Sequence, residues 1–292
     1  MAEKYLFESN TLLINDSEIG VSIEEPFDPV RIPEVFTTET ELPQGCTLRM
    51  VVDSGQQLKE ACCERNGVRH GECRLYYPSG HVKSECYYSS GRLHGPSVFF
   101  GEDGTVLSRS WFIHGKQQGK AWQYYLCSAI QSLQRYKDDL LDGRQEFFYV
   151  DGTPKTTMEY QAGSLHGTVM MYHANGKSAR SITYVKGARK GIEQQWEPSG
   201  VKVVECEYEG QTLVGTSRRW HASGQLAEEV CYLDAAGKAD VKQWNIDGLL
   251  LRDAKYDDED NYLHRVYDTD GNVLQEQHGY WDGRRLCPGK RQ

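Results

Sequence analysis

Nothing in the sequence approaches eighteen consecutive apolar residues, so no segment reads as a membrane-spanning helix. The opening stretch MAEKYLFESNTLLINDSEIG has acids where a secretory signal has a basic region, and it lacks the apolar core of one. A cytoplasmic protein is therefore expected, with non-classical export as an effector the alternative. Basic charge is scarce: 33 Lys and Arg stand against 42 Asp and Glu, a net −9. Residues 1–45 hold ten of the acids (Glu3, Glu8, Asp16, Glu18, Glu24, Glu25, Asp28, Glu34, Glu39, Glu41) against Lys4 and Arg31, so the remaining chain is nearly neutral. Without a basic field there is little to attract phosphate backbones, and no nucleic-acid partner is expected. An anionic lipid surface is disfavoured for the same reason.

Catalytic signatures are missing too. The chain has no nucleophile elbow, Walker loop, dinucleotide-binding glycine triplet or H-E-x-x-H pair, which predicts a protein that is not an enzyme and uses no cofactor. Nine cysteines is an odd number, and with no export signal the thiols are expected to be reduced. Cys62, Cys63, Cys73 and Cys86 lie close enough in sequence to suggest zinc. Cys86 and Cys206, however, share a slot with Ser110, Met158, Ile182, Val230 and Ala254, which marks a packing position, and no metal is expected. His70, His94 and His166 each precede a turn glycine and read as turn chemistry. The run Asp257-Asp258-Glu259-Asp260 reads as a solvated loop, and Asp268-Thr269-Asp270-Gly271-Asn272 as a hairpin tip with its glycine too early for a calcium loop.

What the sequence does contain is a period. Turn-like residues fall at Gly80, Gly104, Ser128, Gly152, Gly176, Gly200, Gly224, Gly248 and Gly271, in steps of 24 and a final 23, with Gly55 anchoring a less regular first unit. Four residues before each anchor stands an aromatic: Tyr76, Phe100, Tyr124, Phe148, Tyr172, Trp196, Trp220, Trp244 and Tyr267. A second column follows the anchors, from Tyr88 and Phe112 to Tyr256. Further on come the pairs Gly91/Gly95, Gly115/Gly119, Gly163/Gly167 and Gly187/Gly191. Asp-Gly, Asn-Gly and Ser-Gly at the anchors supply the positive φ of a reversal, and the flanking segments have strand length and strand composition. Each unit therefore reads as strand, tight turn, strand, looser turn. The fold expected is all-β: an elongated antiparallel single sheet, or open β-solenoid, of nine to ten two-stranded hairpins. The aromatic column is expected to stack as ladders or to meet a partner.

Segments such as YYPSGHVKSECYYSSGRLHG (76–95), FFYVDGTPKTTMEYQAGSLHG (147–167) and MYHANGKSARSITYVKG (171–187) resemble the MORN-repeat variant of many bacterial proteins. The resemblance covers residues 50–285. It implies an array of β-hairpins with a scaffolding or antitoxin-like role toward a protein partner, or, in another class, a peripheral membrane module that contacts lipid. The organisation read from the chain is an acidic cap or flexible segment over 1–48, the array over 49–285 and a basic tail over 286–292. Two departures stand out. The unit at Ser128 lacks the tip glycine and has Asp139 at its second turn, which predicts a bulged or kinked hairpin. From Gln211 onward the second-turn glycines give way to Ala235, Glu259, Ala239 and Leu263, which predicts altered loops.

Overall fold

The computed structural model describes residues 4–8, 10–27, 29–235, 237–257 and 259–289; Glu3, Asp28, Asp258, Lys290 and Arg291 lie outside them. Every regular element among these residues is a strand. The chain divides into two compact units, Met1–Ser164 and Leu165–Gln292. The acidic leader thus belongs to the same compact unit as the first repeats.

In the first unit, β1 (Lys4–Glu8), β2 (Thr11–Asp16) and β3 (Val21–Pro26) form a three-stranded meander. The repeats supply β4 (Cys46–Val52), β5 (Leu58–Arg65), β6 (Val68–Tyr76), β7 (Val82–Ser89), β8 (Arg92–Phe100) and β9 (Val106–Ile113). They continue through β10 (Lys116–Gln117), β11 (Gly119–Tyr124), β12 (Ile130–Lys137), β13 (Leu140–Leu141), β14 (Gly143–Phe148) and β15 (Pro154–Gln161). The two-residue strand β16 (Ser164–Leu165) falls at the boundary. The second unit contains β17 (Gly167–Tyr172), β18 (Ser178–Val185), β19 (Ala188–Trp196), β20 (Lys202–Glu209), β21 (Thr212–Trp220) and β22 (Leu226–Tyr232). It ends with β23 (Ala239–Trp244), β24 (Leu250–Tyr256), β25 (Asn261–Tyr267), β26 (Val273–Trp281) and β27 (Leu286–Pro288). Pairing is antiparallel between strands that follow one another along the chain. Among the described residues β4 pairs only with β5 and β27 only with β26, so the repeat sheet is open and not a closed barrel.

The two turns of each unit differ from expectation in which one is tight. The anchor turns span five residues: the Tyr77 amide donates to the His81 carbonyl and the Gly80 amide to Tyr77, each at 2.9 Å, with positive φ at Gly80. The second turns are two-residue reversals with positive φ at both positions, as at Ser90-Gly91 (48° and 81°) and Ala162-Gly163 (47° and 80°). That geometry matches the right-handed twist of the flanking strands, so the shorter loop lies where the sequence places the looser one. Each second turn also bonds to the preceding repeat: Gly91 donates to the Arg69 carbonyl at 2.8 Å, Gly115 to Leu93 at 2.7 Å and Gly163 to Leu141 at 2.8 Å. Gly187 repeats the bond in the second unit, to Leu165 at 2.8 Å.

The irregular unit keeps this design without its glycines. Ser128 takes a φ of 65°, and its amide donates to Tyr125 at 2.8 Å, as Gly80 does to Tyr77. Asp138 and Asp139 take 51° and 70°, so the expected kink is absent at both turns. Asx residues tolerate the left-handed region because their side chains bond locally, which lets Asp stand for Gly. After β20 the second turns do change. Gly210-Gln211 has positive φ only at its first residue, a type II′ reversal; the next loop closes through the Asp234 carboxylate and the Lys238 amide at 2.9 Å; and the third puts Asp260 at 65°.

A third glycine column shapes the sheet itself. Opposite Gly71, Gly95, Gly191 and Gly215, all at positive φ, the register jumps between Cys62 and Glu64, Cys86 and Tyr88, Ile182 and Tyr184, and Glu205 and Glu207. Where Ala239 and Leu263 replace that glycine, β22–β23 and β24–β25 pair with no shift. The bulge therefore requires the glycine, because a side chain at such φ is strained.

In the first unit these bulges form the floor on which the leader lies. A Cβ on Gly71 would collide with the Val30 carbonyl, and one on Gly95 would meet the Phe7 ring at 3.2 Å, one on Gly119 the Tyr5 ring at 2.7 Å, and one on Gly143 the Ile19 side chain at 2.6 Å. Leu12, Ile14, Ile19 and Val21 bury themselves with Trp111 and Ile113; Val30 and Ile32 do so with Ala61 and Cys63. Two polar clamps fix the docking. Buried Glu72 accepts the Ile32 amide at 2.8 Å, and Arg74 donates to the Ile32 carbonyl at 3.0 Å. Buried Arg135 meets Glu18 at 2.8 Å and the fully buried Asp16 at 3.6 Å, while Tyr5 donates to Asp16 at 2.9 Å. The leader thus lies across a face of the sheet.

The expectation of wholly reduced thiols is corrected at one pair. Cys62 and Cys73 are directly opposed on β5 and β6 with 4.1 Å between Cα atoms, and a disulfide joins them. The other seven cysteines are free, and burial pushes the Cys63 thiol up to about 12, which leaves it protonated and unreactive.

Three outcomes follow from this architecture. Gly119→Ala and Gly191→Ala both pay about 1–2 kcal/mol for left-handed backbone. Only Gly119→Ala adds a collision with the leader, since the nearest atom to a Cβ at Gly191 is 3.9 Å away. Urea unfolding followed by tryptophan fluorescence should show a further loss of about 1–3 kcal/mol for Gly119→Ala; equal losses would mean that the leader does not rest on this glycine. Arg135→Ala leaves the buried Asp16 carboxylate without its cation, with the Tyr5 hydroxyl and the Glu18 amide still donating to it, and should cost about 3–5 kcal/mol in the same assay.

The third outcome concerns acid. Backbone amides of Asn272, Asp270 and Gly271, with the Asn272 side chain, hold the Asp268 carboxyl below the usual range; Asp53, Asp103 and Asp151 are lowered in the same way. A depressed folded pKa gives stability that is present above the unfolded value, near 3.8, and lost as pH falls through the folded one. Asp268→Asn should therefore flatten the acid limb of a urea-midpoint profile, and an unchanged limb would remove this carboxylate from the effect.

Candidate functional site

Every member of the aromatic column sits at one structural position. The register shifts between Leu75 and Tyr76, Phe99 and Phe100, Gln123 and Tyr124, Phe147 and Phe148, and Met171 and Tyr172. The second unit repeats it at Trp196, Trp220, Trp244 and Tyr267. Each of the nine is half-buried. Successive members stand two strands apart, roughly 9.6 Å. That exceeds the 4.5–7 Å of a ring pair, so the column is a row of separate rings and cannot be a continuous stack.

What links the repeats at four of the rings is the residue that follows. Tyr77 donates its hydroxyl to the Phe100 carbonyl and Tyr125 to Phe148, both at 2.8 Å. In the second unit the Nε2 of His173 meets the Trp196 carbonyl at 2.8 Å, and that of His221 meets Trp244 at 3.0 Å. The ring-bearing strand ends are thereby held at fixed spacing. Beside the rings the surface is grooved. One groove of the first unit is lined by Arg74, His81, Val82, Glu85 and Phe100. In the second unit Lys202 Nζ stands 4.7 Å above the Trp220 ring, so that ring carries a cation on one face.

The bulge face divides the repeats into two kinds. Opposite the bulges of the first unit stand Cys63, Tyr87, Trp111 and Arg135, all buried beneath the leader. Steps of 24 residues carry the slot on to Thr183, Glu207, Cys231 and Lys255 in the second unit, which are half-buried or exposed, although the register jump opposite Gly215 passes over the neighbouring, buried Cys206. Residue type tracks the cover. A column running from cysteine and aromatic residues to threonine, glutamate and lysine is a signal in the sequence that tells which repeats the leader covers.

The histidines share a slot just before the bulge glycine, and the turn-chemistry expectation describes one half of what His94 does. Its Nδ1 accepts the amide of His114, twenty residues on, at 3.3 Å. Gln118 bonds Asp138 at 3.0 Å and Asp142 accepts the Ala162 amide at 3.1 Å by the same step of twenty. The other half is Glu25 of β3: its Oε2 lies 3.5 Å from His94 Nε2 and 3.2 Å from His114 Nε2. Burial pushes His94 below the usual imidazole range, and Phe27 packs its ring edge-on at 4.8 Å. The tip at Asp268 is a hairpin turn as expected, its carboxylate accepting the amides of Asp270 at 2.9 Å and Asn272 at 2.8 Å.

Among known proteins, no curated relative matches the chain. Two crystal structures, of TcdB2-TccC3 and of TcdB2-TccC3 without its hypervariable C-terminal region, align over 83% of this chain at 10% identity, with TM-scores of 0.15 and 0.14. The chain spans 16% and 18% of theirs. The family model described as MORN repeat variant matches residues 69–90, 165–186 and 213–234, each running from the strand after a second turn through the anchor turn and the next strand. The 24-residue period and the hairpin built on it thus match the MORN repeat variant at three places in the chain.

Proposed function

We propose that the chain is a non-catalytic protein-interaction scaffold whose partner contacts the half-buried ring column of the second unit, Trp196, Trp220 and Trp244. The observation that carries this reading is the column itself. Three consecutive repeats place tryptophan at a bulge, leave it half-exposed, and space it at roughly 9.6 Å along the sheet. Tryptophan dominates the energetics of protein interfaces because it offers large apolar area at little cost in side-chain freedom. The bonds of His173 and His221 to the carbonyls of Trp196 and Trp244 hold those positions in register before a partner arrives, which lowers the ordering cost of binding. An antitoxin-like or bacterial-effector role in the cytoplasm is the finer form of this reading, since both require a protein target. The varied turns at Gly210, Asp234 and Asp257 offer contacts that distinguish one partner from another.

Affinity capture from the native cell with the whole chain, against Trp220→Ala, tests the proposal. A retained melting temperature with a loss of captured partner on the order of tenfold or more is expected. Equal capture by a folded variant would sink it. Sedimentation with phosphatidylserine vesicles that the same substitution abolishes would move the reading to a peripheral membrane module.

A further inference from the structure

We propose that Glu25, His94 and His114 form a binding site for a divalent transition metal, zinc or a metal of similar ligand preference. Two imidazole nitrogens face a single carboxylate oxygen, Glu25 Oε2, at 3.5 and 3.2 Å. The first is too long for a hydrogen bond and the second is at the limit of one. Both lie close to the edge of a tetrahedron with metal–ligand bonds of about 2.0–2.1 Å, which is roughly 3.3 Å. One ligand atom from each residue falls within 4.8 Å of the other two, and the imidazole rings tilt together with centroids 4.8 Å apart. Two imidazoles and one carboxylate suit a borderline ion and not calcium or magnesium, which take oxygen ligands.

The three ligands come from three places that folding fixes separately. Glu25 lies on β3 of the leader, His94 at the bulge of β8, and His114 in the two-residue turn after β9, at a φ of 49°. His94 is 3% exposed and stands against Phe27, so one ligand is rigid. His114 is 62% exposed and Glu25 32%, so the site opens to solvent on the turn side, where a fourth position takes water or an outside ligand. With Nδ1 accepting, the neutral His94 ring carries its one N–H proton on Nε2; loading the ion on Nε2 moves that proton to Nδ1, so the 3.3 Å bond from the His114 amide is given up. A bound ion would tie the leader to the second turn of the repeats and fasten it at its exposed margin.

Cobalt(II) titration of the intact, disulfide-bonded chain, followed by visible absorption, tests the site. One equivalent should bind with the strong visible bands of a four-coordinate ion and without thiolate charge-transfer bands, and zinc should displace it. Glu25→Gln and His114→Asn, neither at a buried position, should each weaken binding roughly tenfold or more. His278→Asn, at the exposed His278–Glu276 pair, should leave it unchanged. Zinc should also raise the melting temperature of the unaltered chain and not that of His114→Asn. No saturable binding, thiolate bands, or an affinity in Glu25→Gln and His114→Asn equal to that of the unaltered chain would each overturn the assignment.

Discussion

Positive-φ glycine opposite a register jump is the constraint on which the first unit depends. A regular antiparallel pair sends every side chain out at right angles to the sheet, and no second layer can approach its backbone closely. At Gly71, Gly95, Gly119 and Gly143 the side chain is missing and the strand is bulged, so Val30, Phe7, Tyr5 and Ile19 reach the main chain itself. A thin hairpin array thereby gains a second layer without a second domain. The burial this adds includes Leu12, Ile14, Trp111 and Ile113, which form one buried apolar cluster.

The acidity of the leader acquires a purpose from the same contact. Asp16 and Glu18 meet Arg135, and Glu25 meets His94 and His114. These carboxylates are placed against specific basic side chains of the repeats, and the leader is ordered by them as well as by its leucines and isoleucines. Buried carboxylates are costly unless paired, which makes the arrangement selective for one docking position as well as stabilising.

Much of the fold was legible because hairpin turns leave a mark every 24 residues. The all-β array, its anchor turns and the constant aromatic slot all follow from glycine and ring spacing. Turn tightness was not legible: Ser90, His114, Ala162 and Lys186 adopt positive φ beside a glycine, and nothing in those residue types announces it. Nor was the leader's seat, since its prolines and acids resemble a solvated segment; the buried run Cys63, Tyr87, Trp111, Arg135 was the clue, visible only once the bulge position is known. Glu25 lies 69 and 89 residues from His94 and His114, and only a folded leader brings them together. The disulfide is hidden for a related reason, because a cysteine count and the absence of an export signal do not tell that Cys62 and Cys73 stand face to face on paired strands.

The amide hydrogen bonds that run from one second turn back to the previous one, from Gly91 to Arg69 through Gly210 to Arg189, make each of these repeats a template for its successor. Duplication or excision of one whole 24-residue module preserves each such link, whereas a gain or loss of any other size breaks the chain of links at one point. The leader imposes the opposite restraint. It reaches only as far as its own contour allows, so the modules beneath it are fixed in number while those beyond it are free to multiply or diverge.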